Sequence, residues 1–218
     1  VTTVAMGDVT VALLSYQNEL SAAGKKKTTQ EEQNFAIAPL KLPEIAADIS
    51  SARAAGAQIV VVSLCWGKEG AAQPTGTQKE QAQGIADAGA DLILGTHSGV
   101  VQPLRLLTAK RADGTTHQTL CAYSLGNLLE SDRAQREAIS GILLHIGIQY
   151  DLSADQVTFT SLSYTPTYVW RGKTDGKTGY RVLRSNAEAP AFVDAEQRKV
   201  MERCLKLVRD ALADSPVV

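Results

Sequence analysis

Two stretches decide the fold: Ile59 to Glu69, IVVVSLCWGKE, and Asp91 to Pro103, DLILGTHSGVVQP. Each opens as a continuous apolar run of strand length and breaks at a glycine-containing turn, Trp66-Gly67 in the first and Gly95-Thr96-His97-Ser98-Gly99 in the second. Such runs belong to strands covered on both faces. Between them, Thr77 to Ala88 has helical spacing and is closed by Gly89, so the order is strand, helix, strand with a right-handed crossover. Both turns then leave the carboxyl ends of neighbouring parallel strands. That edge is where open α/β sheets bind ligands.

Working outward, Pro43 opens a helix through Ala55, with Ile45, Ile49 and Ala52 at helical spacing and Gly56 after its end. Upstream of it, residues 18–34 are polar and read as a loop or lid. Val4 to Met6 and Val9 to Leu14 flank Gly7-Asp8 and predict a hairpin. Downstream, Leu104 to Ala109, Gln118 to Ser124, Ile139 to Tyr150, Gln156 to Ser163, Thr167 to Arg171 and Tyr180 to Leu183 read as strands. Turns are expected at Ala112-Asp113-Gly114 and Asp175-Gly176, which gives this half an antiparallel character. Asp194 caps a terminal helix spanning 194–213, with Val200, Leu205, Val208 and Leu212 on one face. The fold class is α/β with α+β character in its second half, in mixed parallel and antiparallel sheets with flanking helices.

The 218 residues contain 44% hydrophobic residues and read as one domain with a proper core. The formal net charge is −1 and the signs are interspersed, which gives no electrostatic footprint for nucleic acid. Lys25-Lys26-Lys27, beside Glu31-Glu32, reads as a solvated loop tip. Cys65, Cys121 and Cys204 are too scattered for a disulfide framework or a zinc knuckle, and Cys121 and Cys204 are expected to be buried free thiols. No run approaches the ~20 apolar residues that cross a bilayer. The chain begins at Val1 in strand-like sequence with no signal sequence, as a processed product or excised domain would.

Among residues able to carry chemistry, His97 stands first, because a glycine-rich turn after a buried strand lets an imidazole face a cleft and hold a divalent metal. A lone histidine more commonly hydrogen-bonds its own loop. Cys65 occupies the equivalent tip and becomes a ligand or nucleophile only where a cation lowers its pKa. Glu69 has two readings, a base or orienting group and a surface ion-pair partner. Trp66, Gly67, Gly95, Ser98, Gln102 and Asn127 are read as lining the cleft, with loop capping the alternative for Asn127. His117 and His145 lie inside strand patterns and read as structural or exposed. No nucleophile elbow, phosphate loop or dinucleotide fingerprint is present.

The run Val60 to Glu69, then Pro74, Gln78, Ala88-Gly89-Ala90-Asp91, Gly95 to Pro103 and Tyr123-Ser124-Leu125-Gly126-Asn127 resembles the bacterial capsule-synthesis proteins of the CapA type. Tyr164 to Trp170 and Tyr180 to Leu183 also resemble that family's C-terminal part. The resemblance implies a calcineurin-like metallophosphatase α-β-β-α sandwich, a role in capsule or poly-γ-glutamate biosynthesis, and a place at the bacterial cell envelope or its extracellular face. It implies a divalent metal (Mn, Fe or Zn) and metal-assisted phosphoester hydrolysis.

Two departures bear on that chemistry. The family has a histidine before Trp-Gly where this chain has Cys65, and His-Pro-His where it has His97-Ser98-Gly99. The family's N-terminal half, with its Asp, Asn and His ligands, has no counterpart, so the chain resembles the C-terminal portion with a degraded metal site. The expected metal ligands are His97 and Cys65, with His97 and Glu69 as the catalytic candidates. The alternative is a non-catalytic module that binds a polyanionic or glycan envelope ligand. The expected partners are the missing N-terminal half or a second copy of the chain, and an envelope polymer or phosphoester.

Overall fold

In the computed structural model, residues 1–18, 20, 22–110, 114–131, 136–174 and 176–216 are described. Alternation sets the first elements. β1 (Thr2–Met6) and β2 (Val9–Gln17) form the expected hairpin, with Met6 opposite Val9 and Gly7 at φ 64° in the turn. The segment read as a loop instead carries two short helices, α1 (Ala22–Lys27) and α2 (Gln30–Ala36). Thr29 and Glu32 form a reciprocal capping box that starts α2. The helix buries no residue, so no apolar stripe marked it in the sequence.

Helix α3 (Leu42–Ala54) buries Ile45, Ile49 and Ala52 and leads through Gly56, at φ 93°, into β3 (Ile59–Cys65). Helix α4 (Gly76–Asp87) starts at a Thr75–Gln78 capping box, ends before Gly89 at φ 104°, and returns the chain to β4 (Leu92–Thr96). β5 (Leu104–Lys110) and β6 (Thr116–Ala122) pair antiparallel, but β6 enters the main sheet parallel to β4. The turn read at Ala112-Asp113-Gly114 lies, apart from Gly114, outside the described residues, and so does Asp175 of the second expected turn.

β7 (Ser140–Asp151), β8 (Gln156–Thr174) and β9 (Lys177–Arg184) form a second, antiparallel sheet. The two strands read at Gln156 to Ser163 and Thr167 to Arg171 are one strand of 19 residues that runs through Pro166. The carbonyl of Pro166 accepts from Ser185 N–H on the β9 side, just past the last β8–β9 pair at Arg184. The missing proline N–H faces the same side, so the β7–β8 ladder loses no donor.

α5 (Ala195–Leu212) is capped by Asp194 and buries Met201, Cys204, Val208 and Leu212. Val200, expected on that face, is exposed, and Leu205 is half-buried, because the packed stripe runs through 201, 204, 208 and 212.

The sheets run in the order β1-β2-β3-β4-β6-β5 and β7-β8-β9. On one face of the larger sheet, Ala12, Leu14, Tyr16, Val60, Val62, Leu64 and Ile93 pack with Ile45 and Ile49 of α3 and Ala82 and Ile85 of α4. On the other face, Val61, Leu92, Leu94 and Leu120 meet Leu144, Ile146, Phe159 and Leu162 of the smaller sheet. α5 closes a further cluster with Leu104, Ala122 and Ile142. The result is the mixed α/β sandwich of the metallophosphatase-like fold. No helix among the described residues is long and apolar enough to cross a membrane.

Candidate functional site

Three parallel strands end together. In register, Gln17 of β2 stands beside Cys65 of β3, and Cys65 beside Thr96 of β4. The turns beyond them are tied by backbone bonds: Asn18 N–H donates to the Cys65 carbonyl at 3.2 Å, Trp66 N–H to Thr96 at 3.3 Å, and Gly70 N–H to Ser98 at 2.8 Å. These ties fix the rim of a cavity of about 440 Å³ lined by Gln17, Asn18, Leu20, Cys65, Trp66, Gly67 and His97. His97 is exposed and sits at φ 93°, a left-handed conformation that a side chain with a Cβ adopts at a cost.

Several residues expected to line the cleft turn their side chains inward, including Trp66, which also borders the cavity. The indole of Trp66 is fully buried, donates to the Tyr123 carbonyl at 2.9 Å, and stacks on the Tyr123 ring with centroids 5.9 Å apart. Gly95 is what permits this, because a Cβ there would lie 1.9 Å from the Tyr123 carbonyl oxygen and 2.4 Å from the indole nitrogen. Ser98 is buried and donates to the carbonyl of Val100. Gln102 is buried too. It accepts from Gln78 Nε2 at 3.3 Å and donates to the Ala71 carbonyl at 2.8 Å. These groups are spent on holding the turns.

Gly67, at φ 83°, faces the same Gln78, whose side chain a Cβ would meet at 2.6 Å. Asn127 is half-buried and donates to Glu130, and its amide nitrogen lies 3.6 Å from where a Cβ on Gly99 would stand. Glu69 is exposed on the turn after β3 and does not line the cavity. Of the sequence candidates, then, Cys65, Trp66, Gly67 and His97 come together, while Glu69, Gly95, Ser98, Gln102 and Asn127 surround or support them.

The sequence reading missed Gln17, Asn18 and Leu20. The signal available for Gln17 was its place at the end of the hairpin strand, level with Cys65. A second cavity of about 500 Å³ shares Asn18 and Leu20 and continues along Lys25, Gln30, Gln33 and Asn34 of α1 and α2. Among the described residues, no group of three or more His, Cys, Asp or Glu side chains is placed to hold a metal ion.

Residues 1–132 match the family described as bacterial capsule synthesis protein PGA_cap. The chain is 36% identical over 87 residues to the PGA biosynthesis protein CapA of Bacillus subtilis (strain 168), a stretch covering 40% of this chain and 20% of that protein. It is 29% identical over 121 residues to the capsule biosynthesis protein CapA of Bacillus anthracis, covering 56% of this chain and 27% of that protein. The matches therefore span under a third of either relative's length.

Proposed function

The chain belongs to the bacterial capsule synthesis protein family, and from that premise we propose that it serves capsule or poly-γ-glutamate production at the bacterial envelope, as a metallophosphatase-related domain with a degraded metal site. The observation that carries this reading is the donor set of the cavity's described lining residues: one thiol, one imidazole and two carboxamides, with no carboxylate among them. A two-metal phosphoesterase centre needs several anionic or imidazole ligands and an open position for water. The described residues do not fit that centre, so no hydrolytic step is assigned to them.

A second reading is favoured by the cavity's continuation along α1 and α2. Gln17, Asn18, Gln30, Gln33 and Asn34 supply amide donors and acceptors along one cleft, joined by His97 and Lys25. That lining suits an extended polymer bearing carboxylates or amides, held by hydrogen bonds and screened charge. In this reading the domain binds an envelope polymer and leaves it intact.

Three measurements on the purified chain test both readings. Elemental analysis is expected to find far less than one metal per chain, and added Mn²⁺ is expected to give no hydrolysis of bis-p-nitrophenyl phosphate. Poly-γ-glutamate should bind in a salt-dependent way that weakens about tenfold in the Gln17→Ala, His97→Ala double variant. Near-stoichiometric metal that disappears in both Cys65→Ala and His97→Ala would overturn the degraded site. Polymer affinity unchanged in the double variant would overturn the binding cleft.

A further inference from the structure

The near-neutral total of the chain hides a local excess of one sign. Residues 167–184, the second half of β8 and all of β9, hold five of the 22 Lys and Arg residues and one of the 23 Asp and Glu residues. Register shows where they stand. β7 pairs with β8 only from Gln156 to Tyr168, whereas β9 follows β8 as far as Thr174. Val169 to Thr174 and Lys177 to Val182 therefore form a two-stranded ribbon that runs about 20 Å past the first residue of β7, at roughly 3.3 Å per residue.

That first residue lies on the edge of the larger sheet that carries the cavity. The Ser140 carbonyl accepts from Asn127 N–H at 3.2 Å, and Ile142 N–H donates to the Leu125 carbonyl at 2.9 Å, both in the turn beyond the carboxyl end of β6. Leu125 N–H bonds in turn to the Gly95 carbonyl near the end of β4 at 3.1 Å. The ribbon thus leaves the sandwich on the cavity's side.

A two-stranded ribbon with no layer beneath it is marginal by itself. Here its root is braced. Gly172 stands opposite Gly179, and the Trp170 indole lies over Gly172, where a Cβ would meet it at 2.0 Å. The Arg181 guanidinium, on the strand position opposite Trp170, is 5.8 Å from that ring and 4.7 Å from the Phe192 ring. Trp170 Nε1 donates to Gln197 of α5 at 2.9 Å. Beyond this brace Arg171, Lys173 and Lys177 are exposed, and none of the three makes an ion pair among the described residues. Arg171 and Lys173 share one face, about 7 Å apart, and Lys177 belongs to the other. Charge protects open strand edges, but protection needs no single sign. Elsewhere on the surface Lys41, Lys199 and Lys206 are each paired with an acid, Glu44, Glu196 and Asp210.

We propose that this ribbon is a docking arm for a linear polycarboxylate, which it holds beside the cavity. The inference rests on the reading that the chain handles an envelope polymer, and it adds the surface that recognises the polymer's charge. The described lining of the cavity supplies amides, a thiol and an imidazole, which bond at contact distance, whereas the guanidinium and ammonium groups of the ribbon attract an anionic chain from farther off. A polymer suits the ribbon better than a membrane does. Its cations stand on both faces, and its turn, Thr174-Asp175-Gly176, has no apolar side chain to enter a bilayer interface.

The test follows binding of fluorescent poly-γ-glutamate to the 218-residue chain at low salt by anisotropy. The Arg171→Gln, Lys173→Gln, Lys177→Gln variant is expected to bind about tenfold more weakly, with unchanged thermal unfolding and a difference that closes as salt is raised. Lys41→Gln with Lys199→Gln and Lys206→Gln removes the same charge elsewhere and should bind within about twofold of the parent. Equal weakening in the two triple variants would overturn the arm and assign the attraction to net charge. Unchanged affinity in the ribbon variant, with affinity lost in the Gln17→Ala, His97→Ala variant, would overturn the arm alone and leave the polymer reading standing. Weakening in the ribbon variant alone would support the arm and remove the cleft. A parent chain that binds anionic phospholipid vesicles through the ribbon and ignores the polymer would overturn both.

Discussion

The two ends of the same parallel strands are built from opposite materials. At the amino ends of β3 and β4, Asp91 is buried, its carboxylate receiving Arg53 at 2.6 Å and Val60 N–H at 2.7 Å. Arg53 also donates to the carbonyls of Gln58 and Gly89. Charge there is paired and saturated with hydrogen bonds, with the carboxylate closed to solvent. At the carboxyl ends the strands open into a cavity whose described polar groups are amides, a thiol and an imidazole on a strained turn. The contrast teaches that the sheet spends the Arg53–Asp91 ion pair on joining helix to strand. The end that carries the cavity is held by shape, through the Trp66, Gly95 and Tyr123 contact.

The largest effect is expected from breaking that shape. Gly95→Ala forces a methyl group against the Tyr123 carbonyl and the Trp66 indole, and both neighbours are buried and hydrogen-bonded to each other. With no soft side chain able to yield, the cost should reach roughly 4 kcal/mol, in the range reserved for severe core lesions. Urea unfolding measures it. A loss under about 1 kcal/mol would mean that the cavity end is pliable and that shape does not hold it.

At the opposite end, Arg53→Ala strands a buried carboxylate and should cost about 3 kcal/mol at pH 7, with Asp91→Asn in the same background recovering part of it. Burial pushes the Asp91 carboxyl above its ordinary range, against the pull of Arg53 and Val60 N–H, and removing Arg53 removes the larger of those pulls. The folded variant then holds a proton at pH values where the unfolded chain has lost it. Its deficit should therefore shrink as the pH falls from 7 toward the ordinary carboxylate range. A deficit that grows on acidification would show that the carboxylate has found another cation.

This asymmetry was only partly legible in the sequence. The apolar runs of β3 and β4 and the glycines after α3 and α4 punctuate the chain so plainly that the helix and strand order, and the edge carrying the cavity, follow from local pattern. Trp66 shows what local pattern leaves out. Strict alternation through Val60, Val62 and Leu64 places its indole on the helix-covered face and Cys65 on the other, so Trp66 borders the cavity while its ring is spent in the core. The Gln78–Gln102 bond, which buries one expected cleft residue, joins positions 24 residues apart and has no local signature. Gln17 and Asn18 enter the site through strand register, which depends on which strands pair. The left-handed turn at His97 is set by the loop around it, not by the histidine's own preference.

The smallest effect sharpens the same comparison from inside the closed end. His117 of β6 is buried, and neither ring nitrogen has a hydrogen-bond partner, although the ring lies near enough to Asp91 for its charge to be felt there. Around it stand Leu106, Val157 and Phe159, at the side of a pocket between the two sheets. An imidazole with two unmet polar atoms pays desolvation with no return, so His117→Leu should raise stability by about 1 kcal/mol. Thermal unfolding at pH 8 reads the change. A loss of stability would mean that an ordered water or a rearranged neighbour satisfies the ring, and that the closed end depends on a polar network extending beyond Arg53 and Asp91. A gain would mean that the ring adds nothing to the polar anchors of that end, chiefly the Arg53–Asp91 pair and the Thr119 bond to the Ala90 carbonyl, and would widen the difference between the two ends of the sheet.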